Sequence, residues 1–94
     1  WVTGVQTCDL PIFKIYIRYF VDKKCVVDKI TLEDKILTEY DIKKGCIDFS
    51  PFEPYSGEEC LVIKTFMKED GSMEVKEETL KIVLEILKHF LHFL

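Results

Sequence analysis

The sequence predicts an α+β domain: an antiparallel sheet of four to five strands in mostly meander order, with one long C-terminal helix packed across one face. Residues 13–21 alternate apolar and polar side chains with a period of two. From Leu80 onward, apolar residues recur at i, i+3, i+4 and i+7 instead. Between these patterns, residues 50–59 carry two prolines and a glycine. Apolar residues make up 48% of the 94 positions and seven are Phe, so a packed core is expected rather than disorder.

Taken in order, Phe13, Ile15, Ile17, Tyr19 and Val21 share one face, and Lys14, Tyr16, Arg18 and Phe20 the other. β-Branched and aromatic content at that spacing reads as a strand. Asp22-Lys23-Lys24 is a polar break of hairpin length. A second strand of lower contrast follows over Cys25–Leu32, setting Val26, Asp28, Ile30 and Leu32 against Val27, Lys29 and Thr31. Glu33-Asp34 turns the chain into a third strand, where Ile36, Thr38, Tyr40 and Ile42 share a face. The competing reading is a short helix capped by Thr31, with Asp34 three residues on.

Gly45 follows Lys43-Lys44 and suits a positive φ. Cys46 to Phe49 is a short extended piece. Leu61 to Met67 has apolar residues on both faces, as a central strand does. Lys68-Glu69-Asp70-Gly71 carries the Asp-Gly turn signature.

The C-terminal helix is read from Leu80, Val83, Leu84, Leu87, Leu91 and Leu94. Ser72 serves as its cap, and Glu74, Glu77 and Glu78 stand in the first turns, where the helix dipole favours acids. Glu77 and Lys81 form the favourable i, i+4 pair. With Ile82, Ile86, Phe90 and Phe93 added, the apolar arc spans about 200°, roughly twice what one sheet face needs. The surplus implies a second apolar surface against this helix: a homodimer partner, or a missing part of the same protein.

Residues 2–12 stand outside this scheme and read Val-Thr-Gly-Val-Gln-Thr-Cys-Asp-Leu-Pro-Ile. They resemble the translation of a common short-read sequencing adapter, VTGVQTCALPI, at ten of eleven positions. Asp9, where the adapter encodes Ala, needs one base change, GCT to GAT. The adapter's final T opens the next codon, and both codons for Phe13 begin with T. The resemblance implies that residues 1–12 are an adapter-derived, non-native tail. Residues 13–94 are then a single small domain, and a fragment of an open reading frame cut at its 5′ side.

Without residues 1–12 the chain keeps 13 basic and 16 acidic side chains. That balance leaves no electrostatic footprint for nucleic acid and argues against anionic membranes as a partner. A Lys-rich face over Lys14, Arg18 and Lys29 would revive nucleic-acid binding. Three cysteines remain, Cys25, Cys46 and Cys60, with wide spacing and no secretory leader, which favours reduced thiols in a cytoplasmic protein. No apolar run approaches the length of a membrane span.

Signals for chemistry are few. His89 and His92, spaced i, i+3, could approach one metal, but helical zinc motifs use i, i+4 with a Glu between. The cysteines lack Cys-x-x-Cys spacing, and no metal or cofactor is expected. Cys46 follows two lysines and could pair with His89 as a nucleophile, against the commoner reading of a small buried thiol. Asp48, Glu53, Glu58 and Glu59 read as a solvated acidic loop rather than an acid–base pair. No phosphate-cradling glycine motif occurs.

Phe52 and Tyr55 in the same loop either plug the sheet or form an exposed recognition surface beside Glu58 and Glu59. The function expected is therefore non-enzymatic: a small interaction or regulatory module. Its candidate binding residues are Phe52, Tyr55, Glu58 and Glu59 in the loop, and Ile82, Ile86, Phe90 and Phe93 on the spare helix face. The alternative is a fragment of a larger enzyme, with catalytic residues partly in missing sequence.

Overall fold

Alternation over Phe13–Tyr19 builds the central strand, β1, with Phe13, Ile15 and Ile17 all buried on one face. The computed structural model describes residues 12–81. Around β1 it places β2 (Cys25–Leu32), β3 (Lys35–Asp41), β4 (Cys46–Ile47), a short 3-10 helix (Ser50–Tyr55), β5 (Glu59–Met67) and β6 (Met73–Lys81). All six strands lie in one sheet, ordered β4-β3-β2-β1-β5-β6.

β1 to β4 form an antiparallel meander, but β5 runs parallel to β1 on its other side, against the expectation of a wholly antiparallel sheet. The sheet is therefore mixed. β4 and β5 follow each other in the chain but have β3, β2 and β1 between them in the sheet, so residues 48–58 must cross those strands, and the 3-10 helix lies in that crossover. Phe49 and Phe52 are buried along it. Thr38 Oγ1 anchors the crossover by donating to the Asp48 carbonyl at 2.7 Å.

The largest correction concerns the C-terminal helix. Residues 73–81 are a strand, paired with β5 over nine positions without a register shift, from Glu59 opposite Lys81 to Met67 opposite Met73. No helix longer than six residues occurs among the described residues, so the architecture is essentially all β and not α+β. Only Leu80 of the helical apolar series falls in this stretch. The remainder of that series, Val83 to Leu94, lies outside the described residues, as do Ile82, Ile86, Phe90 and Phe93.

Ser72 does not cap a helix. Its hydroxyl and backbone N–H both donate to Asp70 Oδ1, at 2.6 and 2.9 Å, closing the turn that Gly71 permits at φ 89°. Glu78 pairs across the strands with Lys64 at 2.9 Å. The strand pairing supplies the hydrogen bonds that a helix would have made internally.

Bulges explain a second misreading. A register shift between Tyr16 and Ile17 sets Lys29 opposite Tyr16 but Val27 opposite Ile17, leaving Asp28 as the extra residue. Cys25 and Val27 therefore share the core face with Ile30, which strict alternation had placed opposite them. The shift between Ile30 and Thr31 does the same in β3: Thr38 is buried while Ile36 is 55% exposed. The strand reading of residues 35–41 holds, entered through Glu33 and Asp34, both at positive φ as a tight hairpin requires.

Candidate functional site

Phe52 and Tyr55 sit where the crossover meets the start of β1. Phe52 is fully buried, its ring edge-on to Phe13 with centroids 5.9 Å apart. Tyr55 is half-buried, with its ring 5.0 Å from Phe13. The two aromatics thus face inward on the sheet. Glu58 and Glu59 are exposed, and Glu59 opens β5.

Among the loop acids, Asp48 has a local task. The Ser50 hydroxyl at 2.7 Å and the Ser50 backbone N–H at 3.0 Å hold its carboxyl below the usual range. A carboxylate committed to shaping a turn is not poised for proton transfer.

The thiols are divided by burial. Cys60 is inside and its Sγ donates to the Glu58 carbonyl at 3.5 Å. Cys25 is buried at the start of β2, and burial pushes its thiol up, away from the thiolate form that nucleophilic use needs. Cys46 is exposed. His89 and His92 lie outside the described residues. No group of three or more His, Cys, Asp or Glu able to hold a metal occurs among the described residues.

Lys14, Arg18 and Lys29 do share one sheet face, as their positions against Thr31, Val26 and Tyr16 require. Two of these cations are engaged by carboxylates: Lys14 with Asp34 at 3.4 Å and Arg18 with Asp28 at 2.7 Å. Lys29 lies over the Tyr16 ring, 4.7 Å from its centroid. Such a face offers little unpaired positive charge to phosphates.

Two features remain that sequence reasoning missed. The first is β6, exposed at all nine positions and without a second strand neighbour among the described residues. At its hairpin end Met73 faces Met67, and Val75 lies on the same face, with Met73 64% and Val75 58% exposed. The Asp-Gly turn signalled a hairpin here; the helix reading overrode it. The second is a cavity of about 460 Å³ at the other side of the sheet, among β2, β3 and β4. Residues from 20–27, 40 and 45–47 make its walls, a separation in sequence across which local pattern held no trace of it.

No helix among the described residues is long and apolar enough to cross a membrane. No family model matches the chain, and comparison with curated proteins and with solved structures found no match.

Proposed function

We propose that this chain is a small, non-enzymatic interaction module that joins its partner by strand addition at β6, and that the partner is a second copy of the chain. The observation that carries the reading is the exposure of β6 along its whole length. An edge strand presents a row of unpaired N–H and C=O groups, and a partner strand satisfies them. β6 contains no proline or glycine and no bulge that would blunt it.

The charge pattern favours self-pairing in one register. In an antiparallel pair centred on Glu77, Lys76 of each copy faces Glu78 of the other. Val75 then faces Thr79, and Met73 faces Lys81. Opposite charges set directly across strands contribute roughly 0.2–1 kcal/mol each, and the single like-charged contact, Glu77 on Glu77, opposes them. Centring on Lys76 instead would set Glu74 against Glu78 twice and Lys76 on itself.

Sedimentation equilibrium on the wild-type chain, on Glu77→Lys and on their equimolar mixture tests this arrangement. The mixture is expected to associate several-fold more tightly than either protein alone, because the introduced lysine meets a wild-type Glu77 only in the mixed pair. A mixture no tighter than its components, or a wild-type chain still monomeric at millimolar concentration, overturns the proposal.

A further inference from the structure

The cavity among β2, β3 and β4 stands apart from β6, with β1 and β5 between them in the sheet. Its volume of about 460 Å³ falls within the span of roughly 300–1,000 Å³ common to small-molecule sites. Phe20 and the half-buried Val26 supply accessible apolar surface, and half-buried Tyr40 adds a phenol. Lys24 and Cys46, both exposed, stand where the cavity meets solvent.

The charge around this opening runs against that of the molecule. The two loops that flank it, 20–24 and 41–45, carry Lys23, Lys24, Lys43 and Lys44 against Asp22 and Asp41, on a chain of net charge −4. Asp41 is already committed, accepting the backbone N–H groups of Lys43 and Lys44 at 2.9 and 3.2 Å. Asp22 accepts the Lys24 backbone N–H at 3.1 Å and stands 4.0 Å from the Lys24 ammonium, which is too far for a strong pair. The two loops thus keep a net charge of +2, and Lys24 is the one lysine of theirs that makes an ion pair among the described residues.

We infer that this cavity binds a small apolar carboxylate, with its hydrocarbon body against Phe20, Val26 and Tyr40 and its carboxylate at the Lys24 end. An open apolar cleft with one charged end favours molecules that are themselves apolar with one charged end. Exposed lysines alone would give weak, salt-sensitive attraction, and the apolar wall alone would not discriminate charge.

Decanoate and decanol, equal in chain length and differing in charge, are the probes. Backbone NMR shifts of the full chain and the rate of Cys46 alkylation by iodoacetamide are the readouts. Decanoate is expected to move the amide signals of residues 24–27 and 45–47 and to slow Cys46 alkylation at least five-fold. Decanol should bind at least ten-fold more weakly. Lys24→Gln, a change at an exposed position, should remove most of that difference, and Cys46→Trp, which fills the opening, should abolish the shifts. Equal binding of decanol and decanoate, shifts centred elsewhere, or unchanged charge selectivity in Lys24→Gln overturns the inference. Dimerisation through β6 is untouched by any of these outcomes.

Discussion

β1 and β6 are strands of the same sheet with the same two-residue period, yet they lie at opposite ends of the burial scale. β1 has a strand on each side, and its residues Phe13, Ile15 and Ile17 point into the core. β6 has one strand neighbour among the described residues and no buried position. The difference lies in contrast. β1 sets apolar residues against Lys14, Tyr16 and Arg18, whereas β6 mixes charged and apolar residues on both faces. A strand with contrast declares itself locally; one without it is a strand because β5 pairs with it.

The comparison is broken most forcefully by cutting side chains from each region. Ile15→Ala, at a fully buried position of β1, should cost about 2–5 kcal/mol, and Phe52→Ala, beneath the crossover, about 3–5 kcal/mol. Val75→Ala on exposed β6 should stay within about 0.5 kcal/mol. Urea unfolding at low protein concentration, where self-association does not contribute, measures all three. A loss at Val75 equal to that at Ile15 would show that β6 is covered.

Acid and base divide the molecule along different lines. Burial raises the Tyr19 phenol above 10.0 and the Cys25 thiol above 9.0, and these two residues face each other across β1 and β2. The hydrogen bond to Glu78 raises the Lys64 ammonium above 10.5 and ties β5 to β6. All three hold their protons more tightly when folded. Their stabilisation is therefore complete below these unfolded values and lost as pH rises past them.

Asp48 and Asp70 are lowered from 3.8 by Ser50 and Ser72, so their share is present above that value and lost as pH falls. The urea midpoint should form a plateau that falls below pH 4 and above pH 9. Glu78→Gln should reduce the highest-pH part of the alkaline loss and slightly lessen the Tyr19 part, to which the Glu78 charge also contributes, while leaving the part due to Cys25. An unchanged alkaline limb in that variant would detach Lys64 from it.

The smallest expected effect sharpens the account of the bulged strand β2. Thr31 is buried, and its hydroxyl has no hydrogen-bond partner among the described residues. Thr31→Val keeps the shape and removes the unpaired group, so it should raise stability by about 1 kcal/mol in the same assay. A loss of stability would mean that the hydroxyl is in fact satisfied.

Legibility followed the range of the forces involved. The positions of β1 and β5, and the turns at Asp22–Lys24, Glu33-Asp34 and Asp70-Gly71, were readable because period and turn chemistry act within a few residues. The bulges were not, because one inserted residue reverses every later assignment and only the partner strand reveals it. The helix expectation fails over Met73–Thr79 because these residues lack the apolar periodicity that begins at Leu80. Of the residues singled out for binding, Phe52 and Tyr55 turned inward, while the edge of β6 and the cavity had not been anticipated.

The sequence by itself determined that β1 and β5 extend, where the chain turns and that Phe52 and Tyr55 are more apolar than a linker needs. Each of these is a property of neighbouring residues and their backbone preferences. The tertiary structure alone decided that β5 lies parallel beside β1, that residues 73–81 pair rather than coil, and that the cavity opens between two lysine-bearing loops. These depend on contacts between residues from six positions apart, at Met67 and Met73, to forty-seven apart, at Phe13 and Cys60. Pairing with β5 supplies the strand hydrogen bonds of residues 73–81, which their own sequence pattern did not specify.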